Sequence, residues 1–147
     1  MVKHILLPTD GSKLSARAVA AGVKLAQALG ARVTGLFVAP APTPLVYAHF
    51  LPVGYMAPEQ HAAVIERAAA RYLGVIEKAA KAAGVPCECL RITSDFPADV
   101  ILQTATKRKC DLIVMASHGH HGLSALLLGS ETHKVLTHAK LPVLVYR

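Results

Sequence analysis

Residues 3–12 read KHILLPTDGS, and the fold class turns on how they are read. The apolar run 3–8 has the length of a strand, lacks period-two alternation and is closed by Pro8, while Thr9, Asp10, Gly11 and Ser12 are turn chemistry. Behind the turn, Leu14, Ala18, Val19, Ala21, Val23, Leu25, Ala26 and Leu29 recur at helical intervals up to Gly30, a good helix stop. Strand, turn and helix follow in order, and a strand of this kind must be covered on both faces.

The unit repeats along the chain. ARVTGLFVA (31–39) is β-branched and apolar enough for a second strand, and Ile65, Ala68, Ala69, Tyr72, Ile76, Ala79 and Ala83 form one helical stripe that ends at Gly84. VPCECLRI (85–92) predicts a third strand, FPADVILQTATKRK (96–109) a helix with Pro97 in its first turn, and DLIVMAS (111–117) a fully apolar fourth strand. A helix near 130–139 leads into LPVLVYR (141–147), the fifth. The expected class is α/β: an open, doubly wound parallel sheet of five strands, helices on both faces, right-handed crossovers, and one domain over 1–147. The segment 40–58 is too long for an ordinary connection and carries five prolines with Tyr47, Phe50, Tyr55 and Met56. It reads either as a lid or partner surface, or as a flap packed on its own domain.

Composition narrows the function. The 147 residues are long enough for one core, and no apolar run approaches the roughly 20 residues that span a bilayer. The N-terminus lacks the small-residue cleavage pattern of a secretory signal. Three cysteines fit a reducing compartment better than a disulfide framework, so a cytoplasmic protein without membrane insertion is expected. Cys87 and Cys89 would share one strand face and read as small apolar fillers ahead of metal or redox groups. The net charge of +7 comes from scattered Lys and Arg, with one cluster, KRK at 107–109, placed where cations favour a helix C-terminus. Without Trp or a stacking motif, nucleic acid is not an expected partner.

Ligands of open parallel sheets bind beyond the carboxyl ends of the strands, where the winding reverses. Two loops there are unusual: PTDGS after the first strand, and ASHGHHGLSALLLGSE (116–131) after the fourth. Gly119 and Gly122 let backbone amides approach a ligand, and Gly129 with Ser130 open a helix whose free N–H groups and dipole favour phosphate oxygens. Asp10 is suited to accept hydrogen bonds from ribose hydroxyls. Taken singly, Ser130 is also a good N-cap and Asp10 a good turn residue.

Together, ILLPTDGS, MASHG, LLLGSE and PVLVYR resemble the universal stress protein family over essentially the whole chain. The signature of its nucleotide-binding members is glycine, two residues, glycine, nine residues, glycine, then serine or threonine. That frame falls on Ala116, Gly119, Gly129 and Ser130, so the spacing holds while the first position is alanine. The resemblance implies an adenine nucleotide alpha hydrolase-like fold with strand order 3-2-1-4-5, and bound ATP, ADP or AMP, with Mg²⁺ or Mn²⁺ as the accompanying ion. It assigns adenosine contacts to Pro8, Thr9, Asp10 and Val38, the border of sugar and first phosphate to Met115 and Ala116, and the phosphates to Gly119, Gly129, Ser130 and the Glu131 amide. It also implies a homodimer paired through the C-terminal edge strand, beside a protein partner whose identity is not legible.

His118, His120 and His121 resemble a metal cluster in composition, but no C-x-x-C or H-E-x-x-H frame supports a dedicated zinc or nickel site. They read as exposed residues or as charge directed towards phosphate. The Walker lysine is absent, as is a recognisable pair of water-activating base and transition-state arginine, so no catalytic residue is assigned and hydrolysis is expected to be slow. The expected function is an ATP-binding, nucleotide-responsive regulator of the stress response. The alternative is a nucleotide-independent, homodimeric interaction module of the same fold.

Overall fold

A computed structural model describes residues 1–42, 55–120 and 127–147. The elements run β1 (His4–Thr9), α1 (Lys13–Leu29), β2 (Arg32–Ala39), α2 (Pro58–Ala82), β3 (Cys87–Thr93), α3 (Pro97–Lys107), β4 (Leu112–Ala116), α4 (Ser130–His138) and β5 (Val143–Tyr146). The five strands form one parallel sheet in the order β3-β2-β1-β4-β5. β1 is central, pairing Ile5 with Val33 of β2 on one side and with Leu112 of β4 on the other.

Strand geometry sends alternate side chains to opposite faces, and both faces are buried. Ile5, Leu7, Val33 and Val114 pack with Val19, Val23 and Ala26 of α1 and Ile76 of α2. Leu6, Leu36, Ile113 and Met115 pack with Ile101 of α3 and Val135 of α4 on the other face. The absence of polar alternation in KHILLP follows from this double covering. With α1 and α2 on one face and α3 and α4 on the other, the winding reverses between β1 and β4.

Helix ends explain the boundaries. Ser12 caps α1 by accepting from Ser15 N–H at 3.2 Å, and Gly30 ends it in the left-handed region at φ 63°. Pro97 occupies the first turn of α3, where its missing N–H costs nothing. One expectation needs correction: α2 begins at Pro58, well before the stripe that marked it, so the proline-rich segment ends inside a helix. The first turns of α2 are solvent-facing, with Val64 40% exposed, and carry little amphipathic signal. Tyr47 and Phe50 of the 40–58 segment, like His121 and Gly122, lie outside the described residues. Among the described residues no helix is long and apolar enough to cross a membrane.

Candidate functional site

At the carboxyl ends of β1 and β4 lies a cleft of about 290 Å³. Pro8, Thr9 and Asp10 come from the end of β1, Val38 from β2, and Met115 and Ala116 from the end of β4. Gly119, Gly129, Ser130 and Glu131 complete the set of ten residues singled out in the sequence, all of which line this one cavity. Its walls differ in character. Leu36, Val38, Ile101 and Met115 belong to the apolar cluster under α3 and α4, whereas Asp10, His118, His120 and Ser130 supply polar groups. The cleft is therefore shaped for a ligand with one apolar and one polar end.

The start of α4 is open. Gly129 is its N-cap and makes no side-chain capping bond, while its own N–H donates to Ser117 O at 2.7 Å. The first N–H groups of a helix have no intrahelical acceptor, so those of Ser130, Glu131 and Thr132 are available at the positive end of the helix dipole. The Thr132 hydroxyl, by contrast, is committed to Ala116 O at 2.9 Å, tying α4 to the end of β4. The Glu131 carboxylate also points away from this use: Oε2 accepts from Ala98 N–H at 2.9 Å at the start of α3, and Oε1 accepts from Lys134 at 3.0 Å. It caps α3, leaving the Glu131 amide as the group that faces an anion.

Asp10 holds the two loops together. Its Oδ1 accepts from Ser12 N–H at 2.9 Å and its Oδ2 from His120 N–H at 3.1 Å, while His120 Nε2 donates to the Asp10 carbonyl at 2.9 Å. A side chain at position 119 would overlap Oδ2 of Asp10, so the close approach of the loops requires glycine there. Partial burial pushes the Asp10 carboxyl upwards, but hydrogen bonds from Ser12, Ser15 and His120 outweigh it and hold the group below the usual carboxylate range. Asp10 is thus ionised and partly engaged by protein donors. His120 acts as a latch on Asp10, and His118 shares a 3.1 Å contact with the Ser117 hydroxyl. Among the described residues no group of three His, Cys, Asp or Glu is placed to hold a metal ion.

Sequence reading missed Ser15, Leu36, Pro97, Ile101 and Thr132 as lining residues, and left His118 and His120, which also line the cleft, open between exposure and charge directed towards phosphate. Leu36 was recoverable, since it lies two residues before Val38 and so on the same strand face. Ile101 stands four residues after Pro97, on one face of α3, but nothing local signals that this face turns to the cleft. No Lys or Arg is among the described lining residues, so main-chain amides, the Ser130 hydroxyl and imidazoles are the donors available to an anion.

Comparison with known proteins agrees with this architecture. A sequence model described as the universal stress protein family matches residues 1–147. A universal stress protein of Thermus aquaticus, from the QAH/OAS sulfhydrylase 3′ region, is 35% identical over 147 residues, covering 100% of both chains. Among solved structures, hypothetical protein MJ0577 is 27% identical with a TM-score of 0.78, covering 99% of this chain and 96% of its own. A universal stress protein in complex with cAMP is 24% identical with a TM-score of 0.64, covering 99% and 97%. The family model and the Thermus relative both extend over every residue of the sequence, and the chain belongs to the universal stress protein family.

Proposed function

We propose that the chain binds an adenine nucleotide, ATP by preference, in the cleft between β1 and β4, and that occupancy changes its contacts with a partner. The observation that carries this reading is the uncapped start of α4 facing the apolar wall of the same cavity. The base fits against Val38, Leu36 and Met115. The ribose reaches Asp10, whose two carboxylate oxygens can accept a further donor beside those of Ser12, Ser15 and His120. The phosphates meet the amides of Gly119, Ser130 and Glu131, a cradle that depends on Gly129 having no side chain. A fold neighbour crystallised with cAMP is consistent with an adenine ligand, but the assignment rests on the chemistry of this chain's own cleft.

Ala116 stands where the family signature has glycine; its methyl adds little bulk, so binding is retained. An accompanying Mg²⁺ would draw its ligands from phosphate, water and the Ser130 hydroxyl, because the Glu131 carboxylate is already engaged. With no lysine among the described lining residues, nucleotide serves as a bound signal and turns over slowly. The three thiols are free, in keeping with a cytoplasmic site of action. β5 is an edge strand whose Leu144 is 40% exposed, and pairing of two copies along it would give the homodimer.

Mass spectrometry of small molecules released from the denatured, purified protein, together with thermal unfolding, tests the reading. A hundredfold excess of MgATP over Kd is expected to add about 2.7 kcal/mol to stability. No released nucleotide, and no thermal shift with ATP, ADP or AMP, would overturn it.

A further inference from the structure

Of the two cysteines of β3, Cys89 packs against the apolar cluster under α1 and α2, whereas Cys87 does not act as a core filler. Cys87 is exposed and Cys89 half-buried, and their sulfurs lie 3.9 Å apart on one face of the strand. β3 is the edge of the sheet, so no further strand covers the pair. α2 covers only the inner thiol, with Cys89 Sγ 3.9 Å from Leu73 O, and a shallow groove beside Cys89 also carries Glu77 and a Glu66–Arg91 ion pair at 2.6 Å.

We propose that Cys87 and Cys89 form an open, two-thiolate site for a thiophilic d¹⁰ cation such as Zn²⁺. The spacing supports this over a disulfide. Two sulfurs 3.9 Å apart, each about 2.3 Å from a shared ion, subtend about 116° there, between the tetrahedral and trigonal angles. A disulfide needs the sulfurs at about 2.05 Å, while two residues of an extended strand hold their Cα atoms about 6.6 Å apart, near the upper limit for that bond. The ladder to β2, Val33 with Cys87 and Gly35 with Cys89, keeps the strand extended. In that groove Glu66 is neutralised by Arg91, so the negative field beside Cys89 comes from Glu77. Among the described residues no third His, Cys, Asp or Glu closes the coordination shell, so water fills the remaining positions. The site is thereby exchangeable and not structural.

The test is titration of the reduced full chain with Cd²⁺ as a spectroscopic probe, and with Zn²⁺ against a chromophoric chelator. One ion per chain is expected, with a thiolate-to-cadmium charge-transfer band and two sulfur scatterers by X-ray absorption. Cys87→Ser and Cys89→Ser should each lose stoichiometric binding, and Cys110→Ser, whose thiol packs on the opposite face, should keep it. Absence of binding, a sulfur count other than two, or binding that survives either β3 substitution would overturn the proposal. Because the site is remote from the cleft, Cys87→Ser should leave nucleotide affinity unchanged, so the two readings stand or fall separately.

Discussion

The two ends of the sheet are built to different ends. At the amino end several backbone groups are closed by partners within the protein, although the buried His4 Nδ1 has none. Asp111 accepts from the N–H groups of Lys3 at 2.8 Å and His4 at 2.9 Å, Gln27 donates to Ala83 O, and Gly30 turns α1 off with backbone bonds to Ala26 and Gln27. At the carboxyl end a helix starts without a capping side chain, glycine replaces bulk at two contacts, and a cavity is left between strands. The closed end spends its polar groups on the fold; the open end keeps donors available for a ligand. Substitutions at the two ends should therefore separate stability from binding.

The largest effect is expected at Gly129. An aspartate there would cap α4 and place a carboxylate where the phosphates bind, so Gly129→Asp should weaken ATP binding by at least about 100-fold, roughly 2.7 kcal/mol. Isothermal titration measures this, and a retained cooperative unfolding transition shows that the fold is intact. Equal affinity in this variant would break the contrast. At the other end, Gly30→Ala should cost about 1–2 kcal/mol of stability, because alanine is strained in the left-handed region. Denaturant melts report the loss, and ATP affinity should not change.

Smaller effects sharpen the division. Ser130→Ala removes one hydroxyl contact and leaves the amides, so affinity should fall by about 1 kcal/mol, close to fivefold, with stability nearly unchanged. The least effect comes from His4, at the amino end of β1. It is 4% exposed, its Nε2 lies 2.7 Å from Thr34 Oγ1, and its Nδ1 has no partner. Burial, and then the charge of Arg32, hold its pKa below 6.5. Since the folded value lies below the unfolded one, the unfolded chain takes up the proton first. This contribution to stability is complete above pH 6.5 and declines as pH falls through the interval beneath it. Thermal midpoints between pH 8 and pH 5 should follow that direction in the wild type and flatten in His4→Phe.

The contrast between the ends also explains what could be read in advance. Buried strands such as ILLP and LIVMA declare themselves because both faces need apolar cover, and Gly30 and Pro97 mark helix ends by their own backbone chemistry. The start of α2 was hidden because its first turns bury little. In the cleft, Asp10, Gly119, Gly129 and Ser130 were legible, since loops that hold ligands need unusual residues. Ile101 and Ser15 were not, being ordinary helix residues that only tertiary packing turns inwards. The latch of His120 onto Asp10 was equally invisible, because the bond joins residues 110 positions apart. Cys87 was misread as filler because edge position is a property of the sheet and not of the strand.

The most direct test is an NMR titration of the uniformly ¹⁵N-labelled protein with ATP and, separately, with adenosine. If main-chain amides at the start of α4 hold the phosphates, the resonances of Ser130, Glu131 and Gly119 shift with ATP and stay nearly still with adenosine, while Val38 and Met115 respond to both. Saturation with ATP that leaves the Ser130 and Glu131 amides unmoved would contradict the account.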